Sequence, residues 1–243
     1  MKAKHTTAIS LKKVTKLYQL HHEKPTLIHQ LFGLEKNTPF VALKNVSLEL
    51  PVGDKLGIVG KNGSGKTTLL KIIAGITSPT LGNVTTLGKV VSLIDLTAGF
   101  HQDLSGFDNI KLNGLLLGME KHDLQAKINS IIDFADIGQF IDAPLFTYSS
   151  GMVLRLGFAV AAHAEPDILI LDEGVAVGDE AFNQKCTQYL KKVFTGNKTI
   201  ITVSHNPNYL RENCTRILWL EKGKINQLGG LSVLDNYQKS FRQ

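Results

Sequence analysis

Ile58-Val59-Gly60-Lys61-Asn62-Gly63-Ser64-Gly65-Lys66-Thr67-Thr68-Leu69-Leu70-Lys71-Ile72 decides how the rest of the chain is read. An apolar run, Leu56 to Val59, stops at Gly60. Gly65, Lys66 and Thr67 follow, then a segment whose apolar residues (Leu69, Leu70, Ile72, Ile73) recur at helical spacing. This predicts a strand, a glycine turn and a helix start, the setting that a G-x-x-x-x-G-K-[ST] pattern requires. Glycines let successive backbone N–H groups converge, and the positive end of a helix adds to their field, so the turn suits a polyphosphate. Lys66 has the reach for β- and γ-phosphates, and the Thr67 hydroxyl can ligate Mg²⁺.

Outward from this loop the pattern is α/β. Residues 8–18 and 41–50 alternate apolar and polar side chains and read as early strands of an antiparallel sheet laid beside a parallel core. Pro51-Val-Gly-Asp54 turns the second strand into the glycine-loop strand. Strand-like pieces recur at 84–87 and 89–95, and helical patterns at 108–119, 121–137 and 151–163. Ile168 to Asp172 and Thr199 to His205 are continuous apolar runs, as in strands buried on both faces. A helix is expected over 180–193, a hairpin over 216–227 turning at Lys222-Gly223, and a short helix from 231. Between the first two strands, Leu27, Ile28, Leu31 and Phe32 form one helical stripe, suited to packing on its own domain or to docking a partner.

Composition narrows the function classes. Of 243 residues, 43% are apolar, ordinary for a globular protein. The net charge of +6 comes from scattered Lys and Arg, which reads as a solvated surface rather than a nucleic-acid footprint. Cys186 and Cys214 form no CxxC pair, against a zinc site or disulfide framework and in keeping with a reducing compartment. The N-terminus shows no signal peptide, and no apolar run of about eighteen residues is present.

Three further features carry chemistry. Asp172-Glu173 closes a buried strand, which places a carboxylate to hold Mg²⁺ opposite Thr67 and a neighbour able to take a proton from water. Tyr148-Ser149-Ser150-Gly151-Met152 opens a helix, with serines where an N-cap belongs and free N–H groups suited to phosphate. His205 ends the second buried strand, at the carboxyl edge where ligands of parallel sheets bind.

Taken together these residues resemble the ATP-binding cassette ATPases over nearly the whole chain. The glycine loop, Ile168-Leu-Ile-Leu-Asp172-Glu173, Tyr148-Ser-Ser-Gly-Met152 in place of the signature LSGGQ, Ala176-Val-Gly-Asp179 and His205 match that family's motifs in order. The resemblance implies a P-loop NTPase fold: a parallel core sheet, an N-terminal antiparallel β portion and an inserted helical subdomain at about 97–163, all within one domain spanning 1–243. It implies ATP and Mg²⁺ as cofactors. Tyr18 would stack on adenine, and Gly60, Asn62, Gly63, Ser64, Gly65, Lys66, Thr67 and Thr68 would hold the phosphates. Thr67 and Asp172 would bind metal, Glu173 would act as base, and His205 would contact the γ-phosphate. A second copy, head to tail, would bring Ser149, Ser150 and Gly151 over that ATP.

Two departures from the family pattern refine the resemblance. Met152 replaces the signature glutamine, and Asp95, in Ser92-Leu-Ile-Asp95-Leu, stands nearest to where another expected glutamine would contact metal or water. Both resemble the polysaccharide-exporter branch, as do Gly99-Phe-His101, Asn113-Gly114 and an insertion at about 20–40. The implied role is export of lipid-linked O-antigen, capsule or teichoic acid. The subunit would sit at the cytoplasmic face of the bacterial inner membrane, docked on a polytopic permease, with no carbohydrate-binding domain after the ATPase. Export of another cargo, such as a lipid or peptide, is the alternative, and a soluble ABC ATPase that works on nucleic acid is the more distant one.

Overall fold

The computed structural model describes residues 6–19, 39–172 and 179–241. Two sheets organise the chain. The first strand, β1 (Thr7–Gln19), lies between β2 (Pro39–Pro51) and β4 (Leu81–Thr86) in an antiparallel sheet. The second sheet has the order β5-β6-β7-β3-β8-β9, from β5 (Val90–Ser92), β6 (Ile168–Asp172), β7 (Thr199–Val203), β3 (Lys55–Val59), β8 (Arg216–Glu221) and β9 (Lys224–Gly229). It is parallel except for the hairpin partner β9.

The weak alternation of β1 has a local cause. Lys13 adopts φ 51°, and the register slips between Leu11 and Val14. This bulge resets the pleat, so that Ile9, Leu11 and Val14 all reach the core while Lys12 and Lys13 stay exposed.

The parallel strands feed two cores because successive side chains alternate faces. Ile168 and Ile170 join Leu56, Ile58, Leu69 and Leu70 beneath the antiparallel sheet. Leu169, Leu171 and Ile200 face the helices instead. This two-sided burial is why these strands read as unbroken apolar runs.

Helix α1 (Lys66–Ile73) follows β3 and buries Leu69, Leu70, Ile72 and Ile73 against the first core. Helices α2 (Gly106–Leu116), α3 (Lys121–Ala135) and α4 (Ser150–His163) separate β5 from β6. The first two end sooner than their periodicity predicts. Gly118 takes φ 78° just past α2, and Asp136 takes φ 52° directly after α3, both left-handed conformations that stop a helix. Buried Asn109 pins the preceding loop, its amide donating to the carbonyls of His101, Leu104 and Ser105. Helix α5 (Glu180–Thr195) leads into β7. Helix α6 (Pro207–Asn213) was not expected from the sequence, and α7 (Ser232–Lys239) closes the described chain. No helix among the described residues is long and apolar enough to cross a membrane.

Most of the expected insertion, residues 20–38 with the stripe Leu27 to Phe32, lies outside the described residues. Residues 39 and 40 of the expected insertion belong to β2.

Candidate functional site

The glycine loop leaves β3 at the carboxyl edge of the parallel sheet. Register puts Ile58 opposite Val203 of β7, and Val203 opposite Asp172 of β6. The glycine loop, the Ser204-His205 exit of β7 and the Asp172 carboxylate therefore emerge along one edge, the edge where α/β sheets bind ligands. Edge strand β5 pairs Ser92 with Ile170, so the chain continuing to Asp95 leaves at that edge too.

Close packing fixes the shape of the loop. A Cβ on Gly65 would fall 2.6 Å from the Ala42 carbonyl and 2.8 Å from Leu43, and the residue's φ of 102° suits glycine alone. At Gly60 a side chain would meet the Ser64 hydroxyl at 2.6 Å. Lys66 folds over the loop, its Nζ donating to the carbonyls of Gly60 at 2.8 Å and Lys61 at 3.3 Å. Gly60, Lys66, Ser204 and His205 share a cleft of about 340 Å³. Lys61, Asn62, Gly63 and Ser64 line a neighbouring cleft of about 440 Å³.

These residues fit a polyphosphate. The Ser64 hydroxyl is buried and makes no hydrogen bond to the protein. The first turn of α1 has neither a side-chain cap nor an acidic residue, so its N–H groups and the helix dipole are directed at whatever anion the loop holds. Thr67 and Thr68 lie in that turn, Thr67 exposed. Among the described residues no group of three or more His, Cys, Asp or Glu could hold a metal. Mg²⁺ is commonly bound through one or two protein oxygens together with substrate phosphates and water. Thr67 and Asp172 would supply such oxygens at this edge.

Other expected residues lie elsewhere. Ser149 caps α4, its Oγ accepting from the Met152 N–H at 3.2 Å. Ser149 and Ser150 are exposed, and a Cβ on Gly151 would meet nothing closer than Ser149 Oγ at 3.9 Å. Neither cleft is lined by this turn, which stands open for another molecule to approach. Tyr148 is fixed behind it, donating to the Phe140 carbonyl at 2.5 Å, and burial pushes its phenol up. Asp95 is exposed and forms a local turn, its Oδ1 accepting from Thr97 N–H at 3.3 Å and Thr97 Oγ1 at 3.0 Å. Glu173 and residues 176–178 lie outside the described residues.

The structure adds one residue that the sequence reading missed. Phe40 is directly opposite Tyr18 in the β1–β2 register, and both aromatics are exposed. Directly opposed residues share a sheet face. The available signal was an aromatic at the outer end of each alternating strand.

Residues 43–176 match the family model described as ABC transporter. The chain belongs to the ABC transporter family. Among its relatives is the O-antigen export system ATP-binding protein RfbB of Klebsiella pneumoniae, 39% identical over 241 residues, with 96% of this chain and 98% of RfbB covered. The teichoic acids export ATP-binding protein TagH of Bacillus anthracis is 40% identical over 237 residues, covering 97% of this chain and 43% of TagH. A dimeric post-hydrolysis structure of the ATP-binding cassette MJ0796, bound to ADP and Pi, superposes with a TM-score of 0.67 at 25% identity. It covers 92% of this chain and 98% of that one. In this ABC protein the Ser149–Gly151 turn lines neither glycine-loop cleft.

Proposed function

We propose that this chain is the ATP-hydrolysing subunit of a bacterial ABC exporter that moves lipid-linked polysaccharide across the inner membrane. The observation that carries the chemistry is the cleft shared by the Lys66 ammonium and His205, beside an uncapped helix N-terminus. The cargo class rests on the near end-to-end likeness to the O-antigen export protein. Two copies work head to tail, a reading supported by the dimeric state of the cassette neighbour, and a polytopic permease takes up their motion at the cytoplasmic face.

In this reading Lys66 turns from the Gly60 and Lys61 carbonyls to the β- and γ-phosphates of ATP, and the α1 amides hold the remaining phosphate oxygens. Thr67 and Asp172 would hold Mg²⁺ together with the phosphates, and the ion would supply positive charge to offset that of the transferring group. Glu173 accepts the proton of the attacking water, His205 contacts the γ-phosphate, and Tyr18 stacks on adenine. Ser149, Ser150 and Gly151 of the second copy close the site, which orients the phosphate and excludes water. Asp95 contributes at the outer edge of the metal site. The whole chain works as a single ATPase domain whose helices at about 97–163 move as the dimer closes.

Hydrolysis of Mg-ATP by purified protein is the first test. Glu173→Gln is expected to retain ATP binding and to lose at least about a hundredfold in turnover. Normal turnover in that variant removes the role of Glu173. In cells, Lys66→Ala is expected to leave lipid-linked polysaccharide on the cytoplasmic side; unchanged export rules out this cargo.

A further inference from the structure

We propose that α7 braces the nucleotide loop, with Tyr237 as a positioning residue for ATP binding. The helix is anchored by Val233 and Leu234, buried against Val59 and Ile217. Tyr237, one turn on, packs against the same core and makes further directed contacts. The Tyr237 ring stands edge-on to Trp219 at 5.5 Å and to Phe241 at 4.9 Å. Burial pushes its phenol up, and the nearby Gly60 amide, at the start of the glycine loop, acts the other way. Phe241 in turn carries the Lys61 ammonium 5.7 Å from its ring centroid. Tyr237 lines both loop clefts and so forms part of the wall between them.

Residues 60 and 61 are thus gripped from two sides. On one, Lys66 Nζ holds their carbonyls. On the other, Tyr237 walls the cleft beside Gly60 and Phe241 carries the Lys61 ammonium. When Lys66 moves to phosphate, as the function proposed above requires, the first grip is released and α7 is left to keep the loop entry in shape. A loop already in its bound geometry binds more tightly because less ordering is needed. The brace also reaches the other wall of the cleft. Arg211 of α6 is ion-paired with Asp235 and donates to Gln238 Oε1 at 3.1 Å. Since α6 starts two residues past His205, α7 ties the glycine loop to the segment that carries that histidine.

Tyr237→Phe and Phe241→Ala test this. The first removes only a hydroxyl. Phe241 is 56% exposed, so its truncation opens no core. Each is expected to raise KM for ATP about three- to tenfold, the effect of one lost polar or cation–π contact, with kcat within about twofold. Binding can be followed without turnover through Trp219, the only tryptophan in the chain, whose emission should change on ATP addition. An unchanged KM in both variants, or a fall in kcat at constant KM, overturns the brace. Wild-type protein that neither binds nor hydrolyses ATP overturns the function proposed above, and the brace with it.

Discussion

Arg155 of α4 is ion-paired with Asp179, the residue that caps α5. The Arg155 side chain is 18% exposed and that of Asp179 61%, so the cation is the embedded partner. Its other nitrogen donates to the Asp136 carbonyl at 3.2 Å, and its guanidinium lies 5.3 Å from the Phe182 ring centroid. Asp179 accepts from the Phe182 N–H at 3.0 Å with its second oxygen. One guanidinium therefore links the end of α3, the helix opened by Ser149, and the start of α5.

The pair makes stability depend on pH. The Phe182 amide, and then the Arg155 charge, hold the Asp179 carboxyl below its usual range. A carboxylate lowered in the folded state stabilises fully above its unfolded pKa, about 3.9, and loses that contribution as pH falls towards the folded value. Asp179→Asn keeps a good cap and does not titrate. In calorimetry, the wild-type advantage in Tm over Asp179→Asn should be greatest near neutrality and shrink below about pH 4. A constant difference through that range would mean that the ionised carboxylate contributes nothing.

The separation of Ser149 from Lys66 predicts complementation between copies. Ser149→Arg and Lys66→Ala should each be inactive as pure proteins. Mixed, each heterodimer combines one intact glycine loop with one intact Ser149 turn. Random assortment should restore about a quarter of the wild-type sites, as expected for a two-fold interface. The readout is ATPase rate against mixing ratio, and no recovery at any ratio rules out action across the dimer.

Much of this could be read from sequence because it rests on local rules. The glycine loop needs its glycines in a fixed order, and β6 and β7 show their two-sided burial as apolar runs. Helix α6 was illegible for a physical reason: it has seven residues and buries only Leu210, too little to make a periodic pattern. Its one signal was Asn206-Pro207, a cap followed by a proline at the first helical position. The Tyr237–Gly60 contact and the Tyr18–Phe40 pairing depend on which strands and helices become neighbours, which no local pattern encodes. Strand-like residues near 90 were visible, but not that β5 would take the edge beside β6 and bring the chain to Asp95 at the same border as Asp172.

Packing inside the helical region yields a stability prediction. Gly157 sits within α4, where alanine has the better intrinsic helix propensity. A Cβ there would collide with the Leu96 carbonyl and lie 3.1 Å from the Leu96 Cβ. Gly157→Ala should therefore destabilise the fold, by about 1–3 kcal/mol as for other overpacked sites. It should also shift the loop that carries Asp95, one residue away. Denaturant unfolding is the check; a gain in stability would mean that propensity outweighs the close approach.

The exposed aromatics at the strand ends give the last prediction. Tyr18 and Phe40 are 37% and 47% exposed, and Lys16 Nζ stands 5.1 Å from the Tyr18 ring centroid. Neither ring supports the core, so truncation should leave Tm nearly unchanged. Stacking of a base on an aromatic ring is worth about 1–3 kcal/mol, so Tyr18→Ala should raise KM for ATP about tenfold, with kcat preserved. Tyr18→Phe should behave as wild type, because stacking needs the ring and not the hydroxyl. Phe40→Ala separates two roles for the opposing ring: a parallel rise in KM means that it shares the base, and an unchanged KM means that Tyr18 acts alone. A wild-type KM in Tyr18→Ala would remove adenine from this end of the sheet.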